Sequence, residues 1–107
     1  MQPTTARLIL DANGKPTTIY NYANITTQTT TLVKSGNTFL HTITFNKPTA
    51  TGTVKIDDAI TDTTPVVGTI TTPASPIPVT LTYDIYLTNG LTIVTGTANQ
   101  DITVSYL

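Results

Sequence analysis

Residues 79–87 read VTLTYDIYL, with Val79, Leu81, Tyr83, Ile85 and Leu87 alternating against Thr80, Thr82, Asp84 and Tyr86. Side chains of a strand point to opposite faces in turn, so this period of two predicts one apolar face and one polar face. A strand with one apolar face must bury it against a second layer. The same rhythm recurs along the chain. TFLHTITFN (38–46) places Phe39, His41, Ile43 and Phe45 on one face, and TVKID (53–57) turns Val54 and Ile56 inward. VVGTIT (66–71), LTIVT (91–95) and DITVSYL (101–107) follow, the last with Ile102, Val104 and Tyr106 inward.

Turn chemistry separates these runs. SGN (35–37), KPTATG (47–52) and the Asn89-Gly90 pair are turn signals, since Gly and Asn tolerate positive φ. DAITDTTP (58–65) reads as a loop. TPASPIP (72–78) carries three prolines and reads as an exposed connection or an edge, because proline cannot donate to a ladder. Short strands spaced about ten residues apart predict an antiparallel β-sandwich over residues 32–107. Composition agrees: threonine supplies 28 of 107 residues, and its branched Cβ favours strands over helices.

The first 31 residues are less regular. TARLILD (5–11) is a candidate strand closed by NGKP, and TTIYNYANI (17–25) is a second. In the latter, Ile19, Ala23 and Ile25 share one face, Tyr20 and Tyr22 the other. TTQTTT (26–31) reads as a linker or an edge strand. Residues 1–31 are taken as an N-terminal arm or strand pair, the alternative being that these strands belong to the sandwich.

Charge and chemistry narrow the function. Five basic residues stand against six acidic ones, all Asp, for a net charge of −1. That balance supplies neither the clustered positive charge of a nucleic-acid footprint nor a polybasic membrane patch. No apolar run reaches the length of a membrane span. The start, MQPTTARLILD, lacks the long apolar core of a signal peptide, so secretion by that route is not expected, and a protein that meets the outside world would leave by another route, such as cell lysis. With no cysteine there is neither a disulfide nor a thiolate metal site.

A Ser–His–Asp triad would have to use His41, the single histidine, whose strand parity reads as core or rim. Asp57, Asp58 and Asp62 could offer oxygens to Ca²⁺, but their spacing is not that of an EF-hand, and Asp is equally at home capping turns. The chain is therefore read as a non-enzyme that needs no cofactor. Asn24 opens an NIT sequon, a match that arises easily by chance in a Thr-rich chain. Tyr83 and Tyr106 have core parity, which leaves Tyr20, Tyr22 and Tyr86 as candidate interface anchors. The strand faces are nearly uncharged, a skin that does little to repel a neighbouring chain.

The string SGNTFLHTITFNKPTATGTVKIDDA, followed by VGTI and by YDIYLTNGLTIVTGTANQDITVSYL, resembles a family of small tailed-bacteriophage virion proteins. Leu40, His41 and Ile43 match its first motif, and Gly52, Thr53, Ile56 and Asp58 its second. Asn89 to Leu91 and Asp101 to Tyr106 match the last two. Ala59 departs from the pattern, since a glycine commonly follows the motif Asp. The resemblance covers residues 35–107 and implies a jelly-roll β-sandwich that decorates or cements a capsid. It implies no catalytic residues. The expected partner is the major capsid protein, the expected assembly a homotrimer at shell three-fold positions, and the expected location the virion surface after synthesis in the host cytoplasm. Residues 1–31 lie outside the match and are expected to select the docking site. The alternative is a carbohydrate- or host-surface-binding module on a head fibre or tail, with Tyr86 and the Asp57, Asp58 and Asp62 loop as its site.

Overall fold

A computed structural model of the chain describes residues 7–10 and 12–107. Ten strands make up its regular structure: β1 (Arg7–Leu10), β2 (Pro16–Ile19), β3 (Asn21–Ile25), β4 (Thr30–Ser35), β5 (Thr38–Lys47), β6 (Thr53–Asp57), β7 (Val66–Thr71), β8 (Val79–Leu87), β9 (Gly90–Gly96) and β10 (Asp101–Tyr106). Among the described residues no helix is long and apolar enough to cross a membrane.

Two four-stranded sheets form the body, in the orders β3-β10-β5-β8 and β4-β9-β6-β7. They pack face to face as an antiparallel β-sandwich around Ile43, Phe45, Ile56, Leu91, Ile93 and Ile102, each at most 1% exposed. The eight strands pair from the outside inward: β3 with β10, β4 with β9, β5 with β8, β6 with β7. This nesting seats β10 between β3 and β5. The apolar run DITVSYL is therefore a central strand with neighbours on both sides. Leu107 continues it by exchanging backbone hydrogen bonds with Phe39 at 2.9 and 3.0 Å.

The segment 1–31 does not behave as one arm. The alternation of TTIYNYANI breaks at Tyr20, which falls between β2 and β3. Before the break, β1 and β2 form a separate two-stranded sheet. After it, β3 fills the free edge of β10 and sends Ile25 into the core, while β4 completes the second sheet. Burial of the Ala23 and Ile25 face draws this strand into the sandwich, which begins at residue 21 rather than 32. Residues 1–6, also assigned to the arm from sequence, lie outside the described residues.

The face assignment of β5 changes as well. Thr38 and Leu40 are buried, then Ile43 and Phe45, so the inward parity switches between Leu40 and Ile43. The register explains this: the β10 step from Ser105 to Tyr106 spans two β5 steps, from Thr42 to Leu40. His41 is the extra residue of a β-bulge, which re-aims its side chain. The neighbouring strand has its own extra residue, because Leu40 and Thr42 face Ile85 and Thr82. Asp84 sits there with φ of 50°.

Candidate functional site

The outer face of the β3-β10-β5-β8 sheet gathers most of the chemistry-bearing side chains. Asp84 is brought beside His41 by the paired bulges, with Oδ1 2.5 Å from Nδ1. A carboxylate accepts, so Nδ1 donates across this contact. The Tyr20 ring stacks on the imidazole, with centroids 4.1 Å apart and planes 8° from parallel. Regular alternation gave no sign of the His41–Asp84 contact, since 43 residues separate the two and each departs from its strand at a bulge. Such a pair is the orienting half of a Ser–His–Asp arrangement, and the Tyr20 ring covers one face of the imidazole.

Of the three candidate anchors, Tyr20 is half-buried in this stack, whereas Tyr22 and Tyr86 are 73% and 49% exposed. Tyr22 lies on β3 and Tyr86 on β8, the two edges of the sheet. Three strand spacings, about 14 Å, part their strands across the sheet, and the register offsets them along it as well, Tyr22 lying in the row of Thr82 and Tyr86 in that of Phe39. They frame the face without meeting. Phe39 stands opposite Tyr86 in the register, and Ser105, Thr42 and Thr82 continue the row that starts at Tyr22.

A polar cluster occupies the far end of this face. Asp101 accepts from Asn24 Nδ2 at 2.8 Å and from Asn46 Nδ2 at 3.1 Å. These amides, with Lys47 behind them, hold its carboxyl below the usual carboxylate range. Asn24 also donates to the carbonyl of Ile102, so the sequon amide is engaged within the sheet.

The acidic segment divides its carboxylates: Asp57 and Asp62 share Lys55, while Asp58 turns to the β8–β9 turn. Asp58 accepts the Asn89 backbone N–H at 2.9 Å and tethers the loop to the β8–β9 turn. Asp62 pairs with Lys55. Asp57 is fully buried, with Lys55 Nζ 3.5 Å away and no donor in good hydrogen-bonding geometry on either oxygen. Burial pushes its carboxyl above the usual range, with Lys55 pulling the other way. Among the described residues, no three His, Cys, Asp or Glu side chains converge to hold a metal ion. Ala59 is buried, and its carbonyl accepts the Thr92 hydroxyl at 2.8 Å.

One surface was not foreseen from the sequence. The proline-rich connection 72–78 crosses from β7 to β8, the edge strands of the two sheets. Beneath it lies an open apolar groove of about 260 Å³ lined by Phe45, Ile70, Pro73, Pro76, Ile77 and Leu81. Its signal was the density of proline and aliphatic residues, which fixes an exposed path but does not say what lies under it.

No family model matches the chain, and neither a curated protein nor a solved structure does.

Proposed function

We propose that the protein is a structural component of a bacteriophage virion, a decoration or cement protein that binds the assembled capsid and stabilises it. The observation that carries this reading is the β1–β2 hairpin, which forms its own two-stranded sheet outside the sandwich and leaves Leu10 64% exposed. An isolated two-stranded hairpin is at best marginally stable in water. Such an element gains its stability from a neighbour, and the resemblance to phage virion proteins supplies one, the major capsid protein. The nested strand pairing supports the jelly-roll form of the sandwich, an architecture shared by viral capsid and lectin domains. A rigid sandwich bridging adjacent shell subunits, three copies around a three-fold position, stabilises them through simultaneous engagement. Synthesis is in the host cytoplasm and residence on the capsid surface.

Shells lacking the protein, mixed with purified chain, should bind it at fixed stoichiometry in co-sedimentation and show it by electron microscopy. A chain lacking residues 1–20 should keep its melting transition and lose binding. The cut stops before Asn21, because β3 belongs to the sandwich. Normal decoration by the truncated chain would overturn the docking role of the hairpin, and light scattering of the free protein tests the trimer.

The second reading, a carbohydrate- or host-surface-binding module, is favoured by exposed Tyr22 and Tyr86 on a face that also carries Asp84. A glycan array with and without Ca²⁺ separates the two, since a cement protein should bind no glycan in either condition.

A further inference from the structure

Tyr20 is the single residue between β2 and β3, the point where the hairpin meets the sandwich. Among the described residues, no sandwich strand makes more than marginal contact with either hairpin strand. Soft backbone dihedrals at such a junction would let the arm swing. Yet the junction side chain is the one stacked on His41, and His41 is the one held by Asp84. Both supporting residues reach this place through bulges, and Asp84 adopts a left-handed conformation, φ 50°, that non-glycine residues rarely take. Strained backbone of this kind persists where the surroundings over-determine it.

We propose that Tyr20, His41 and Asp84 form a clasp that sets the angle at which the β1–β2 hairpin leaves the sandwich. The Asp84 carboxylate takes the imidazole edge and fixes the ring plane, leaving the ring face free. Tyr20 lies flat on that face, and the contact resists rotation at the junction. A partner then meets an arm already aimed, and less orientational freedom is lost on binding. The clasp operates in the isolated chain, so its failure and the failure of capsid docking are separate results.

The chain has no cysteine, so two engineered ones report cleanly. Thr18→Cys on β2 and Thr69→Cys on β7, both at exposed positions, carry spin labels for a pulsed-dipolar distance measurement. The parent pair should give one narrow distribution. His41→Ala and Tyr20→Leu should broaden it, raising the swung-away population about 2- to 12-fold, the equilibrium equivalent of one aromatic pair. Tyr20→Phe, which keeps the stacking ring, should restore the narrow distribution, with melting curves showing that the sandwich stays folded. Equal widths in the parent, His41→Ala and Tyr20→Leu would overturn the clasp.

Discussion

Gly52→Ala is a small change with a large expected effect. A Cβ at Gly52 would stand 2.2 Å from Gln100 Nε2 and 3.4 Å from Ala98 Cβ. A clash with the end of a long side chain is ordinarily relieved by a rotation. Here the amide is 2% exposed and bonded at both ends: Thr49 N–H donates to Gln100 Oε1 at 2.8 Å, and Gln100 Nε2 donates to the Thr49 carbonyl at 3.0 Å. The Thr49 carbonyl keeps a second donor, the Thr72 hydroxyl at 2.6 Å, but the Thr49 N–H and the displaced amide do not. One net hydrogen bond at about 1 kcal/mol, plus an unsatisfied group at about 1–3 kcal/mol, gives a loss of about 2–4 kcal/mol. For a domain of this size that lowers Tm by about 10–25 °C. Thermal unfolding followed by circular dichroism measures it. Gln100→Ala alone should lose a similar amount, and adding Gly52→Ala to it should cost under ~1 kcal/mol more, because the obstacle is gone. Additive losses, or a Gly52→Ala effect below ~1 kcal/mol, would refute the reasoning, since the amide would then be free to swing clear.

Three further predictions concern the core and the turns. Removing residues 104–107 takes Val104 and Leu107 from the interior and strips the centre of a sheet, so the truncated chain should show no cooperative melting transition. At Gly90, φ is +153° and a Cβ would meet the Lys34 carbonyl oxygen at 2.9 Å and that of Ala59 at 3.1 Å; backbone cannot swing away, and Gly90→Ala should lose about 2–4 kcal/mol in urea unfolding. Asp57 has its folded pKa raised by burial, so the folded state holds its proton longer and stability falls as pH rises from about 4 through that raised value. Asp57→Asn should remove this contribution to the pH dependence and gain about 1 kcal/mol near neutral pH, read from urea midpoints across that range; an unchanged slope would show that the carboxylate is well solvated.

Much of the sandwich was legible because strand periodicity is local. β8 and β10 begin where their alternation begins, and the turns at Gly36 and Gly90 take the positive φ that glycine supplies. Alternation also misled. Period two, extended through TFLHTITFN, put His41 with Ile43 and Phe45, and a bulge ended that parity. On β9 burial does not alternate: Thr92, of opposite parity to Leu91 and Ile93, is buried with them, as is Thr95. The two threonines bond to the carbonyls of Ala59 and Thr27, in loops that fold over the strand. A threonine carries no mark of whether its hydroxyl meets water or a distant carbonyl.

The candidate site divides the same way. Tyr22 and Tyr86 could be assigned to an outer face from parity alone, and the structure places them there. That Tyr20 would lie on His41, and His41 on Asp84, depends on two bulges, which insert a residue in one strand relative to its neighbour. A bulge is a property of a pair of strands, and pairing joins segments tens of residues apart. The sequence by itself determined what each segment can do alone: alternate its faces, turn at Gly and Asn, break at proline. Which strands became neighbours, where the register slipped, and which carboxylates were buried were decided by packing the two sheets, because only there do distant segments compete for the same partners.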